Sequence, residues 1–265
     1  MHQTIKHTTG YAYSAPVDYA LQKVRLTPLS SSIQTITGWT LDITGGKIET
    51  SYLDHYGNHV DLVSITPGAQ SLNICASGTS IPLDSNGILG RTRAGVPLWH
   101  FQQPTALTTA GAAIKALPKL DTRADAVVES LHALSSNIAS ALPYKTGTTN
   151  VQTPAEEALQ GNGGVCQDHA QIFIAAARLA RLPARYVSGY LLMDDRIDQD
   201  ATHAWAEVYV EALGWTGFDV SNGMSPDARY TRIAVGRDAR DAAPIEGLRV
   251  GSADETLKVS LQIQQ

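Results

Sequence analysis

Cysteine and charge are both scarce in this sequence, and each scarcity excludes something. Two cysteines, Cys75 and Cys166, make no disulfide framework, so the expected home is a reducing cytoplasm. Charged residues form 17% of the chain, with a net charge of −5 at pH 7. That balance gives no electrostatic reason to expect nucleic acid or an anionic membrane as partner. No apolar run approaches the roughly 18 residues that would suggest a membrane span. The opening MHQTIKHTTGYAYSAPV lacks an apolar signal core and reads directly as strand. No C-x-x-C pair is present, the one H-x-x-x-H spacing (His55 to His59) flanks a turn, and neither metal nor cofactor is expected. What remains is a 265-residue chain, 43% hydrophobic, with the composition of an ordinary globular protein of one or two domains.

The first hundred residues are β-rich. KVRLTPL, GWTLDIT, KIETSYLDHYGNHVDLVSITP and QSLNICASGTSIPL are β-branched or aromatic segments separated by Gly, Pro and Asn turns. Residues 82–120 read as a connector. Asp121 is placed to cap a helix whose Val127, Leu131, Leu134, Ile138 and Leu142 recur at helical steps. Thr153-Pro154-Ala155-Glu156 has capping-box spacing, and Gly161-Asn162-Gly163-Gly164 ends the short helix after it. From Cys166 to Leu182 a helix apolar on nearly every side is predicted, stopped by Pro183 and buried. In HAWAEVYV, His203, Trp205, Glu207 and Tyr209 share one face, and small apolar residues form the other. GWTGFDV and the C-terminal LKVSLQI complete the predicted strands.

Cys166 stands where a glycine-rich loop becomes a helix, and unpaired amides and the helix dipole there favour a thiolate. His203 heads one strand, and Asp219 lies on the next at a hairpin-neighbour spacing. If those strands pair, the carboxylate orients the imidazole, the imidazole holds the thiolate, and the backbone amide of Cys166 serves an oxyanion. Taken alone, a buried cysteine is ordinarily packing. The helix start, the glycines and the ordered His and Asp turn the reading toward catalysis. Cys75 reads as core.

GGVCQDHA…RLPARYVSGYL followed by THAWAEVYV…LGWTGFDVSNG resembles the transglutaminase-like cysteine enzymes of bacteria. YKTGTTNVQTPAEEAL and GRDARDAAPIEG extend the resemblance, and HTTGYAYSAPV, RLTP and YLDHYGNHV are similar to the β-rich region that precedes that catalytic domain. The resemblance implies an α+β, papain-like core with the Cys helix on an antiparallel sheet. It divides the chain into an N-terminal domain over 1–100 and a catalytic domain over 101–265. It also implies a Cys166–His203–Asp219 triad. Two positions depart from the family pattern: His169, where an aromatic is usual, and Val220-Ser221, where Pro-Thr is commoner. His169 is expected to influence local charge and so the pH optimum.

Gly164, Gln167, Tyr190 and Trp205 are the candidate substrate-binding residues, with packing the ordinary use of such aromatics, Trp215 included. Asp168 is read as a helix-start stabiliser. The acidic stretch 194–200 reads as a solvated loop able to rim the site, and His55, His59, Asp54 and Asp61 as an exposed hairpin rather than a metal site. The expected function is acyl transfer from a peptide or protein substrate through a Cys166 thioester, with water favoured as acceptor. The alternatives are a protein-glutamine gamma-glutamyltransferase, in which an amine is the acceptor, and a non-catalytic scaffold of the same fold. Oligomeric state is not encoded in any motif of the chain.

Overall fold

The structure, a computed structural model, describes residues 2–92 and 95–265; Arg93 and Ala94 of the predicted connector lie outside the described residues. In chain order come β1 (Gln3–Val17), β2 (Tyr19–Val24), β3 (Gln34–Thr44), β4 (Gly46–Leu53), β5 (His59–Ile65), β6 (Ala69–Pro82) and β7 (Ile88–Gly90). Helices α1 (Ala112–Ala116), α2 (Val127–Ala141), α3 (Ala155–Gln160) and α4 (Cys166–Leu179) follow. The chain then returns to strands: β8 (Ala184–Leu191), β9 (Asp198–Gln199), β10 (His203–Val210), β11 (Gly214–Phe218), β12 (Tyr230–Gly236), β13 (Ile245–Val250) and β14 (Glu255–Gln264).

Three antiparallel sheets result, ordered β3-β6-β1-β14-β9, β13-β2-β5-β4 and β12-β8-β10-β11-β7. Strand β1 alternates buried and exposed residues, as a strand with one face in a core must. Its Tyr11 and Tyr13 meet Val24 of β2, Val63 of β5 and Leu72 and Ile74 of β6, so the first two sheets share one core. The third sheet carries α4, α2 and α3 on one face. Its other face packs Val187, Trp205, Trp215 and Tyr230 against Phe101 and Tyr56. This is the α+β arrangement expected from the sequence.

A single cut near residue 100 does not divide the chain. β14 pairs with β1 along Thr4–Tyr13, and β13 pairs with β2, so the C-terminal strands complete the N-terminal sheets. Conversely, β7 adds to the helical half through β11. Alternation in LKVSLQI announces a strand but not its partner, which lies some 250 residues away in sequence. The two halves meet through Ile5, Leu261 and Ile263 on one side and Tyr190, Leu192, Ile233 and Ala234 on the other.

Local signals were redirected in several places. Asp121 does not cap α2, which begins after Ala126; it pairs with Arg123, and its amide donates to Ser130. Glu156 does not close a capping box with Thr153. Its carboxylate instead accepts the amides of Gly111, Ala113 and Ile114, satisfying the orphan donors at the start of α1. α4 ends at Leu179, three residues earlier than predicted. Arg181 adopts φ 62°, Leu182 N–H reaches the Ala177 carbonyl, and Arg181 N–H reaches Arg178, a Schellman turn that precedes Pro183. The His55–Asp61 hairpin is not a solvated one either. Asp61 is buried and accepts Ser51 and His59, and Asp54 holds the turn through the amides of Tyr56 and Asn58.

At the junction of the halves, His7 is buried, with its Nδ1 3.0 Å from the Tyr190 hydroxyl and its Nε2 3.2 Å from Thr9. Burial disfavours the imidazolium and brings its pKa down to about 4. The unfolded chain therefore takes up the proton first, so the stabilisation is complete above about pH 6.5 and fades toward pH 4. Urea unfolding at pH 7 and pH 4.5 should show wild type losing about 2–3 kcal/mol more than His7→Gln over that interval. Equal losses would mean that the junction does not depend on a neutral His7.

Candidate active site

Two hydrogen bonds prepare the start of α4. The Asp168 carboxylate accepts the amide of Val165 at 2.8 Å and the Thr149 hydroxyl at 2.6 Å, so Asp168 is a helix-start anchor as its position suggested. Helix geometry leaves the amides of Cys166 and Gln167 without intrahelical acceptors. Gly164 is fixed from behind: its N–H donates to Pro143 and its carbonyl accepts from Lys145. A Cβ at that position would lie 2.9 Å from both Asp168 and Leu142, which explains the glycine by close approach.

β10 places His203 at its first residue, opposite Gly189 of β8. Its pairing with β11 then carries Asp219, the next residue after that strand, to the imidazole. The His203 Nε2 and Asp219 Oδ2 are 2.6 Å apart. That leaves Nδ1 as the ring nitrogen free of Asp219, and Cys166 lines the same cleft as His203. Burial opposes charge on His203. The hydrogen bonds and charges of Asp219 and Cys166 outweigh it and push the pKa up to about 10. Burial likewise opposes ionisation of Asp219, but the His203 hydrogen bond and charge, with further bonds from Asn222 and Tyr230, hold its carboxyl below the usual range.

Tyr230 and Asn222 were not anticipated from the sequence. The Tyr230 hydroxyl donates to Asp219 at 2.8 Å, the Asn222 side chain at 2.7 Å and the Asn222 amide at 3.2 Å. An asparagine three residues after an aspartate is a turn signal that could have been read; nothing in spacing points to Tyr230, which arrives from β12. His169 and Ser221, the two departures from the family pattern, are partners. His169 Nε2 donates to the Leu142 carbonyl at 2.8 Å, and its Nδ1 lies 2.8 Å from the Ser221 hydroxyl. The pair ties the Cys helix to the turn that carries Asp219.

Cys166 and His203 line one cleft of about 1120 Å³. Its walls come from residues 144–154, from the acidic loop through Arg196, Asp198 and Asp200, and from Arg240–Gly247. Among the predicted substrate-binding residues, Gln167 lines this cleft and the other three do not. Gly164 lies behind the helix start with both backbone groups engaged. Tyr190 is fully buried at the junction with His7. Trp205 is buried beside His203, with ring centroids 6.3 Å apart, and its edge meets Tyr230. Both aromatics therefore support the sheet rather than contact a ligand. Tyr144, half of it exposed, is a cleft residue that the sequence reading passed over. Cys75 is half-buried in β6, with the Thr8 hydroxyl 3.6 Å from its sulfur. No cluster of metal-ligating side chains occurs among the described residues. No helix among them is long and apolar enough to cross a membrane.

Residues 115–220 match the family model of the transglutaminase-like superfamily, and residues 3–79 that of the bacterial transglutaminase-like N-terminal region. An uncharacterized protein of Mycobacterium tuberculosis is 31% identical, covering 98% of this chain and 91% of its own length. Another, from Mycobacterium leprae, is 27% identical over 98% of this chain and 97% of its own length. The crystal structure of a candidate cysteine protease from Cytophaga hutchinsonii superposes with a TM-score of 0.75 at 22% identity, covering all of this chain and 98% of the other.

The elevated proton affinity of His203 has a direct test. In Asp219→Asn the acceptor charge is gone while the shape remains, so the His203 titration followed by NMR should fall from about 10 toward the ordinary value of about 6.5. A midpoint that does not move would show that Asp219 does not hold the imidazolium.

Proposed function

Because the chain belongs to the bacterial transglutaminase-like superfamily, we propose that it is a cysteine-dependent acyl-transfer enzyme acting on peptide or amide bonds. In this reading Cys166, His203 and Asp219 are nucleophile, acid–base and orienting group. The observation that carries the reading is the His203–Asp219 hydrogen bond beside a cleft that His203 and Cys166 both line. A histidine whose protonated form is favoured by the Asp219 carboxylate is a suitable partner for a thiolate and a suitable acid for a leaving amine.

The Cys166 sulfur attacks the substrate carbonyl carbon, and the oxygen takes up negative charge beside the amide of Cys166 at the helix start. His203 gives its proton to the departing nitrogen, the C–N bond breaks, and a thioester remains on Cys166. Water then loses a proton to His203 and adds to the thioester carbonyl. Collapse releases the carboxylic acid and restores the thiolate–imidazolium pair. Water is the acceptor in this reading. A primary amine in place of water turns the same cycle into transamidation.

Iodoacetamide labelling at pH 6, read by peptide mass, tests the nucleophile. Cys166 should label about tenfold or more faster than Cys75, and His203→Ala should remove that advantage. Equal labelling of both thiols, or a Cys166 rate indifferent to His203→Ala, would leave the cysteine a packing residue. Turnover of a peptide p-nitroanilide mixture with added methylamine then separates the acceptors: carboxylic acid as main product supports hydrolysis, and methylamide as main product replaces it with transfer.

A further inference from the structure

β13 is the outer strand of its sheet, with β2 as its strand neighbour. The Pro244 carbonyl accepts from the Arg25 amide at 2.7 Å, which sets the phase of the pairing. Antiparallel ladders alternate, so Glu246, Leu248 and Val250 bond to β2. The N–H and C=O groups of Ile245, Gly247 and Arg249 then point away from it. Among the described residues, none of these outward backbone groups has a backbone partner.

The opposite edge of the same sheet is protected. β4 carries the Lys47–Glu49 ion pair at 3.2 Å and a bulge between Ile48 and Thr50, both ordinary defences against strand addition. β13 has no bulge in its register, and its Leu248 and Val250 are 55% and 64% exposed. Its first residues, Ile245, Glu246 and Gly247, line the cleft that holds Cys166 and His203. The ion pairs of β13 run from Glu246 to Lys23 and Arg25 and from Arg249 to Glu255, and its unbulged edge keeps outward backbone groups suited to a ligand with its own unpaired backbone.

We propose that the free edge of β13 takes an extended stretch of a polypeptide substrate as an added strand and so leads the bond to be cut toward Cys166. The proposal rests on the reading of Cys166 as a nucleophile toward polypeptides. Recognition is then largely through main-chain hydrogen bonds. Every second side chain of the substrate stands on the face of Leu248 and Val250, which favours apolar residues at those positions. Proline or an N-methyl group at the outward-bonding positions removes a donor and breaks the ladder. At about 3.3 Å per residue, six substrate residues span roughly 20 Å.

The test uses a Cys75→Ala variant of the whole chain, which leaves one thiol. Six-residue peptides of alternating valine and threonine are attached to Cys166 through a maleimide at either end, a reagent that couples to an ordinary thiol as well as an activated one. Amide exchange is then followed residue by residue by NMR. The Ile245, Gly247 and Arg249 amides should exchange about tenfold or more slowly, with Glu246 and Leu248 unchanged. The same peptides N-methylated at alternate residues should give no slowing. Unchanged exchange at all three amides with peptide attached through either end would overturn the proposal. Failure of the nucleophile reading looks different: the three amides still slow, while in the wild-type chain iodoacetamide labels Cys166 no faster than Cys75.

Discussion

The close packing of α4 on the small-residue face of β10 is the constraint from which the site follows. Ala204, Ala206, Val208 and Val210 turn toward a helix whose Ile172, Phe173, Ile174 and Ala177 are buried against them and their neighbours. Alanines at the contact let a helix lie close to a sheet, and a core at native density allows little sliding once it is there. That seating fixes Cys166, the first residue of α4, relative to His203, the first residue of β10. The hydrogen bonds of the site then act on groups already brought within reach. They choose a protonation state; they do not assemble the parts.

Strand register is the second requirement, and a buried charge array helps to set it. Glu207 on β10 receives Arg185 of β8 at 2.6 Å and Arg232 of β12 at 2.9 Å, while Arg185 also lies 3.8 Å above the Trp215 ring of β11. A slip of one residue in any of these strands would turn its charge toward the opposite face, where α4 packs. An unpaired buried charge is costly, so the array discriminates between registers even if its net contribution to stability is small. The register it favours is the one in which β11 delivers Asp219 to His203. Glu207 thus bears on the site without touching it.

Reading the sequence succeeded where the signal was local or periodic, and failed where the partner was distant. A glycine-rich loop before an apolar helix located Cys166, and two-residue alternation placed His203 and Glu207 on one face with the alanines on the other. The partners of side chains were a different matter. Glu156 was given to its own helix but serves α1, because a carboxylate near exposed amides takes whichever are nearest in space. Tyr190 and Trp205 have the look of groove-lining aromatics, and burial decides otherwise, Tyr190 against Ile5, Leu261 and Ile263 and Trp205 against Val187, Trp215 and Tyr230. Tyr230 became visible as a support for Asp219 only when β12 was seen to lie beside β8. The return of β13 and β14 to the N-terminal sheets was hidden for the same reason, since these strands carry no mark of the strands they join.

That return of the C-terminal strands alters how the N-terminal half is understood. Were it an appendage, its sheets would close on themselves, and the cleft would be formed by the helical half alone. Instead the segment Arg240–Gly247 leaves the helical half, borders the cleft and is anchored on β2 by the ladder that begins at Arg25 and Pro244. On another side of the cleft, the acidic loop is tied through β9 to β14, and β14 lies against β1. Two walls of the cleft are therefore held by strands of the β-rich half. Shifting that half would move both walls together while leaving α4 and β10 in place. The helical half positions the reacting groups, and the β-rich half sets the shape of the space in front of them.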